Sequence, residues 1–434
     1  MTIKYNKKRP LKVEFSARNI SSYGGLELIK RFYEKIRFES IIQEKLLLKR
    51  SRIRYQFSDL ILEFHLGLFL GAETLRNCFL FTKDEIVKTI FDKEVFAHNS
   101  TLSRFFKLFT KETIDNLREI NQTFFRKLLR AEKKHWSKVT IDLDSTVLTV
   151  YGNQEKASKG YNPDKRGRKS YHPIVAFLGE TRDFIAGHLR PGNVYTSHKS
   201  IEFLKEVLIK LPPSSLRFLR ADSGFFDDKF LSFCEARKIH YALCAKLYQP
   251  LKARIETIED FRPFDNGSEI AEFYYSLNNW STRRKFIVTR SPIATEDNLF
   301  GFQAYHYRVI VTNIYGTPES IFRFSNKRCN IENLIKEVKS GFNLGHILTS
   351  SFYANEAVFQ LTMLAYNLYN RFKRLLFTGK SRYMTVHTFR LRFIYVCVQL
   401  VKTGGKRVLK FPISYPFQSR FLDICTRIPR LSIA

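Results

Sequence analysis

Val139-Thr140-Ile141-Asp142-Leu143-Asp144-Ser145-Thr146-Val147-Leu148-Thr149-Val150 sets two acids inside a run of β-branched and aliphatic residues. The alternation of Val139, Ile141 and Leu143 with Thr140, Asp142 and Asp144 predicts a strand, and a period of two puts both carboxylates on one face. Carboxylates rarely occupy a central strand unless they are paired or hold a metal. The competing reading is an edge strand with its acids in water. The choice depends on what the rest of the chain brings to that face.

Immediately downstream, Gly152 to Tyr171 carries Lys156, Lys159, Lys165, Arg166 and Arg168 among glycines and a proline, and reads as a basic loop too polar to pack. His172 to Leu178 and Phe184 to Leu189, joined by Gly179 to Asp183, read as a hairpin. Lys199 to Lys210 fits a helix, Leu216 to Ala221 a strand ending at Asp222-Ser223-Gly224, and Asp227 to Arg237 another helix. Three strands in a meander, a helix, a strand with an acid at its C-terminal end and a helix make a ribonuclease H-like order. The expected fold class is therefore α/β with a ribonuclease H-like catalytic core. Catalytic groups of such sheets gather at the carboxyl ends of strands, where Asp222 falls; a helix N-cap would account for Asp222 alone equally well.

Farther on, Ile270 to Leu277 and Arg284 to Thr289 alternate polar with apolar residues, which predicts a β-strand insertion over about residues 250–303, and Tyr305 to Ile314 resumes a buried strand. A helix beginning near Pro318 carries Arg328, Glu332, Lys336 and Lys339 at spacings of four, four and three, hence on one face, with Ile331, Leu334, Ile335 and Val338 as its apolar stripe. Glu337 falls about 140° from Glu332 at ~3.6 residues per turn and cannot share that face. A solvated helix with i,i+4 salt bridges would show the same pattern. Phe352 to Phe377 and Thr385 to Leu400, the latter ending at Gly404-Gly405, read as helices of a C-terminal region, 351–434.

The 434 residues suffice for a large core and two or three domains. Residues 1–135 read as a helical N-terminal DNA-binding region, with helices at Leu26 to Phe38, Phe57 to Leu70, Glu85 to Phe91, Leu102 to Phe109 and Ile114 to Arg130; residues 136–350 form the catalytic core. Asn99 or Ser100 is the expected N-cap of the fourth helix, and the basic cluster Lys49, Arg50, Arg52 and Arg54 precedes the second. The short pair Glu85 to Phe91 and Leu102 to Phe109 reads either as a helix-turn-helix or as a plain packing unit.

Lys plus Arg number 73 against 41 Asp plus Glu, a formal charge of +32 that favours a polyanion, chiefly nucleic acid. Ribosome association or an anionic membrane surface would also suit the charge, but neither explains Asp142 and Asp144. The run Leu60 to Leu70 is broken by Glu63 and His65 and is too short to span a bilayer. Met1 to Pro10 is basic and polar, so no secretory signal is expected and the chain should remain in the cytoplasm, at the nucleoid. Six cysteines without a Cys-x-x-Cys pair, and ten histidines without a His-x-x-x-His spacing, argue against zinc sites and disulfide frameworks.

Asp144, Asp222 and Glu332 together suit a two-metal phosphoryl-transfer site, since hard carboxylate oxygens bind Mg²⁺ and Mn²⁺ can substitute. Arg328, Lys336 and Lys339 would hold the flanking phosphates. The ordered stretches Ile141-Asp142-Leu143-Asp144-Ser145-Thr146, Gly152-Asn153-Gln154-Glu155, Gly160-Tyr161-Asn162-Pro163, Arg190-Pro191-Gly192-Asn193, Arg220-Ala221-Asp222-Ser223-Gly224-Phe225, Arg328 to Lys339 and Ala354-Asn355-Glu356-Ala357 resemble bacterial insertion-sequence transposases of the DDE class. The likeness is to the branch related to elements that mobilise β-lactamase genes, and it runs from about Ser51 through most of the chain.

The resemblance implies that Asp144 is the first metal-binding acid, with Asp142 the nearby runner-up, and that Asp222 and Glu332 are the second and third. It also implies two Mg²⁺ ions, a homodimer on paired double-stranded DNA ends, cleavage at terminal inverted repeats, and strand transfer into target DNA. Relatives carry a tyrosine three residues before the arginine of the third motif, where this chain has Ser325. Trp280, before Arg283-Arg284-Lys285, would either stack on a base extruded at the cut end or belong to the core. A stand-alone Mg²⁺-dependent nuclease and a domesticated DNA-binding protein are the competing functional readings.

Overall fold

The computed structural model describes residues 13–49, 54–132, 136–163, 165–214, 216–278, 280–293, 305–346 and 349–433. Arg50 and Arg52 of the basic cluster, and the expected end of the β insertion, lie outside them.

The opening stretch is strand β1 (Lys138–Ser145), and it lies inside a mixed sheet rather than at its edge. On one side β2 (Ile174–Leu178) and β3 (Asp183–His188) form the expected antiparallel hairpin, with β2 against β1. On the other side β4 (Leu216–Ala221) runs parallel to β1, and β5 (Ile239–Cys244), which the sequence reading did not separate out, runs parallel to β4. An antiparallel extension follows: β6 (Arg262–Pro263), β7 (Glu269–Tyr275), β8 (Arg284–Pro292) and β9 (Tyr305–Thr312). Among the described residues the spatial order is β6-β7-β8-β9-β5-β4-β1-β2-β3. The insertion therefore lengthens the sheet that holds β1, and it also contains a helix, Gln249–Glu256, that polar-apolar alternation did not announce.

Helices cover the sheet. α1 (Phe57–Phe69) and α2 (Lys111–Arg130) belong to the N-terminal helical layer. α3 (Ser200–Lys210) and α4 (Asp228–Ala236) close one sheet face, setting Phe203, Leu204, Phe230 and Leu231 in one cluster with Ile141, Leu143, Leu219 and Ala221. The opposite face is shared. α5 (Pro318–Asn326) packs Ile321 and Phe322 with Ala242, Ile287 and Ile310, and is followed by α6 (Cys329–Lys336). α7 (Phe352–Leu376) packs Phe359 and Tyr366 on Phe184 and Phe177 at the hairpin end, and also lies against α1 and α2.

The polar residues of α7 have a structural cause. β3 ends the sheet, so its outer backbone groups lack a neighbouring strand. Asn367 supplies both halves of the missing ladder: its Oδ1 accepts from Phe184 N and its Nδ2 donates to Phe184 O, each at 2.8 Å. Gln360 donates to Gly187 O at 2.8 Å, and buried Glu356 accepts from Leu189 N at 2.6 Å. The longest helix thus seals a sheet edge. No helix among the described residues is long and apolar enough to cross a membrane.

Several local expectations change. The helix expected from Pro318 through Lys339 is broken at Lys327–Arg328, and its last turn, Glu337–Gly341, widens to a π-turn. The basic stretch after β1 is not a free loop: Leu148–Thr149, Ser158–Lys159 and Lys169–Tyr171 pair into a small sheet with Ser170 and Tyr171 buried. The helix expected over Thr385 to Leu400 stops after Val386–Phe389 and a π-turn; Val398–Thr403 and Lys406–Lys410 form a hairpin that pairs with Ile20–Ser21. Its turn is Gly404-Gly405 with φ of 55° and 74°, a conformation that favours glycine and that the sequence reading took for a helix stop. His98, rather than Asn99 or Ser100, caps Asn99–Phe106, its ring accepting from Ser100 N. Glu85–Ile90 packs on Leu26–Lys35, whereas Asn99–Phe106 packs on α1 and α7, so the two short helices serve different neighbours.

Candidate functional site

β1 and β4 are in register, Asp142 opposite Arg220 and Leu143 opposite Ala221. The pairing ends there: Asp222 follows as the first residue past the carboxyl end of β4, while β1 continues through Asp144 and Ser145 against β2. Alternation turns Leu143 and Ala221 into the α3/α4 core and brings both acids, with Asp142 and Arg220, to the strip between α7 and α5.

The two aspartates of β1 have different fates. Asp142 is 3% exposed and Arg220 4%, and they form a bidentate pair: Nε donates to Oδ1 at 2.6 Å and Nη2 to Oδ2 at 2.7 Å. Arg220 Nη1 also donates to Phe324 O at 3.1 Å, and the guanidinium stands 5.0 Å from the centre of the Phe324 ring. The resemblance had left Asp142 as runner-up; its oxygens here are taken by Arg220.

Asp144 is buried but sparsely bonded. Its Oδ1 accepts from Ser145 N at 2.8 Å, and its Oδ2 lies 3.5 Å from Arg328 Nη1. Asp222 Oδ1 accepts from Gly224 N at 3.0 Å, which tightens the turn after β4. Arg328 Nη2 donates to Glu332 Oε1 at 2.7 Å, so one guanidinium reaches from the paired aspartates to the glutamate at the rim. Burial, reinforced by the Asp222 carboxylate and opposed by Arg328, pushes Asp144 up to about 7. Burial likewise raises Asp222, with Arg328 pulling the other way.

Around this centre, His172 Nδ1 lies 2.8 Å from Val194 O and Nε2 3.0 Å from Ser145 Oγ. A carbonyl only accepts, so Nδ1 carries the proton and Nε2 accepts from the Ser145 hydroxyl. Burial lowers the His172 pKa, in keeping with the neutral ring. Ser145 Oγ is also 3.0 Å from Thr196 Oγ1, which then donates to it. Buried Arg190 holds the loop above by donating from Nε to His172 O at 2.9 Å and from Nη1 to the carbonyls of Tyr195, Thr196 and His198, each at 3.4 Å.

The remaining predicted residues take partners other than the three acids. Lys339 Nζ donates to Val147 O at 3.0 Å, just beyond β1. Lys336 is exposed on α6. Ser325 is buried, and its carbonyl accepts from Arg328 N at 2.9 Å. Phe324, beside it, turns its ring to Arg220. Trp280 is half-buried in the insertion, 5.0 Å from Phe226 between ring centres and 4.9 Å from the Arg284 guanidinium.

Asp144 and Asp222 are therefore brought together, and Glu332 reaches them through Arg328. Among the described residues no group of three or more Asp, Glu, His or Cys side chains is close enough to enclose a metal ion. The donor set still fits a hard divalent cation, because two neighbouring carboxylates, one raised by the other, gain from a positive charge between them. Sequence reasoning assigned no role to Arg220 or His172. The signal for Arg220 was available: it precedes Asp222 by two residues, as Asp142 precedes Asp144.

Other stretches quoted above hold the frame. Glu155 Oε2 accepts from Phe352 N at 2.9 Å, and Asn355 Nδ2 donates to Thr349 O at 2.9 Å. Gly192 has no room for a side chain, since a Cβ there would lie 2.4 Å from Ser158 O and Ser170 O.

A family model described as Transposase DDE domain group 1 matches residues 3–433. Among solved structures, the piggyBac transposase synaptic complex with hairpin DNA is similar over 85% of this chain and 79% of that chain, at 13% identity and a TM-score of 0.49. No curated protein matches the chain.

Proposed function

The chain belongs to the DDE transposase family, an enzyme family acting on DNA, and from that premise we propose that it cleaves DNA at the terminal inverted repeats of a mobile element and joins the ends to target DNA. The observation that carries this reading is the meeting of Asp144 on β1 with Asp222 just past the end of parallel β4, near enough for one carboxylate to raise the other, with Glu332 linked to Asp144 by Arg328. The order β3-β2-β1-β4-β5, antiparallel then parallel about β1, supports a ribonuclease H-like core for residues 136–350.

Asp144, Asp222 and Glu332 would hold Mg²⁺ or Mn²⁺. The bound cations would lower the pKa of the attacking water or hydroxyl and neutralise charge on the phosphate. Arg328 leaves its carboxylate partners to grip a phosphate oxygen when DNA enters, and Lys336 adds a second positive contact on the exposed face of α6. His172 and Thr196 hold the Ser145 hydroxyl, and through its backbone the Asp144 carboxylate, in one orientation. The N-terminal helical layer and the C-terminal region, packed together through α2 and α7, would bind the repeat in a homodimeric complex at the nucleoid.

The test incubates purified protein with labelled end DNA and a plasmid target. Wild type yields cut ends and joined product in Mg²⁺. Asp144→Asn, Asp222→Asn and Glu332→Gln each bind the ends but yield neither. Cleavage without joined product in wild type would favour a stand-alone nuclease, and activity in all three variants would sink the reading.

A further inference from the structure

We propose that Arg220 is a positioning residue for the reaction: one buried guanidinium that locks the two acid-bearing strands and the helix leading to the third acid into a single frame.

Its contacts go to three different elements. Arg220 lies on β4, two residues before Asp222. Its Nε and Nη2 clasp Asp142 on β1, two residues before Asp144. Its Nη1 takes the Phe324 carbonyl on α5, one turn before Arg328. That carbonyl belongs to the last turn of α5 and also accepts from the C-cap Lys327 N at 3.3 Å, so the guanidinium adds a fixed cation at the helix C-terminus and holds that end against the sheet.

A one-residue slip of β1 past β4 would turn Asp144 away from Asp222, because side chains alternate. Packing of Leu143 and Ala221 opposes such a slip without direction, whereas a planar two-bond pair fixes register, distance and orientation together. Burial keeps Arg220 from touching DNA, and Asp142 neutralises its charge beside the acids. Its action therefore passes through Asp144, Asp222 and Arg328.

The proposal rests on the assignment of Asp144 and Asp222 as metal-binding acids, so the experiment separates the two. Protein bound to pre-cut end DNA is titrated with Mn²⁺ and free ion is followed by electron paramagnetic resonance, while cleavage of intact ends is followed at rising Mg²⁺ and folding by thermal melting. Asp142→Leu/Arg220→Met replaces both charges with apolar side chains and avoids leaving either one buried alone. Arg220→Lys retains a charge but cannot hold Asp142 with two bonds and reach Phe324.

The double variant is expected to melt cooperatively yet need roughly tenfold more Mn²⁺ for half-saturation, with excess Mg²⁺ restoring part of its rate; Arg220→Lys falls between it and wild type. Wild-type Mn²⁺ affinity and rate in folded Arg220→Lys, or in the folded double variant, would overturn the positioning role. Undiminished Mn²⁺ binding by Asp144→Asn would instead overturn the metal-site assignment beneath it.

Discussion

Asp183 at one end of the sheet and Asp144 at its centre are both buried carboxylates, yet they differ in how many donors the protein gives them. Asp183 accepts from Thr181 Oγ1, from Asn370 Nδ2 at 2.8 Å and from Arg371 Nη2, and Arg371 continues to Glu132 at 2.5 Å. Asp144 has one backbone N–H and an arginine at 3.5 Å. Both oxygens of Asp183 accept from side chains, and this first network docks α7 on the hairpin. The second leaves acceptor capacity unused beside the Arg328 guanidinium. Burial of an acid does not by itself mark chemistry; acceptor capacity that the fold leaves unused does.

Exchanging the fates of these two acids gives the largest expected effects. Asp183→Ala leaves Arg371 and Arg374 sharing Glu132 alone, so one positive charge of the buried cluster goes unbalanced, and it should cost about 3–5 kcal/mol in a urea melt, while the folded fraction still cleaves. Asp144→Asn should abolish cleavage with stability unchanged or raised. A stable Asp183→Ala protein, or a destabilised Asp144→Asn protein, would erase the distinction.

The same contrast explains what could be read from the chain. The strand β1, the hairpin, β4 and α4 were legible because alternation and turn residues are local signals, and Asp142 and Asp144 stood out because acids are rare in such runs. That Asp142 would be paired and Asp144 left open depends on Arg220 and Arg328, which come from distant parts of the sequence. The break at Lys327–Arg328 was hidden because no proline or glycine stands between Glu319 and Lys339 to announce it. The C-terminal hairpin was hidden because its strand Val398–Thr403 follows a helical turn without an intervening proline, and its Gly404-Gly405 turn resembles a helix end. The polar side of α7 could not be assigned before β3 was known to be an edge.

Acidity sharpens the comparison next. Asp144 titrates near 7 in the folded protein against an ordinary 3.8, so the folded state holds its proton more tightly than the unfolded chain does. Its contribution to the stability of metal-free protein is therefore present below about pH 4 and is lost as pH rises through 7. Urea melts across pH 4–8 should show this decline in wild type and a flatter profile in Asp144→Asn. A wild-type profile that rises with pH through this window, and is flattened by the substitution, would mean that Asp144 is held as a carboxylate by its donors.

Arg328 should matter less to metal-free protein than either aspartate. It shares its charge between Asp144 and exposed Glu332, and a cation binding those carboxylates must compete with it. Arg328→Ala should raise Mn²⁺ affinity of the DNA-free protein about two- to fivefold, the scale of a partly exposed ion pair, while weakening DNA binding. Lower Mn²⁺ affinity without DNA would make Arg328 a support for the acids rather than their competitor.

The smallest effect separates two lysines of the same segment. Lys336 projects from α6 into solvent, so an ammonium there can neutralise a phosphate and release a counterion when DNA binds. Lys339 already donates to Val147 O at 3.0 Å and lies 3.5 Å from Thr146 Oγ1, which ties the π-turn to the chain leaving β1. Lys336→Ala should lower the slope of log affinity against log salt by about 0.9, roughly a three- to fourfold change in relative affinity between 50 and 200 mM salt. Lys339→Ala should change the slope by less than half of that, because its ammonium is tethered to Val147 O and Thr146 Oγ1, and should instead expose residues 146–150 to faster amide exchange. Equal slope changes for the two lysines would place Lys339 with the cations that face DNA and narrow the structural region to the Asp183 end of the sheet.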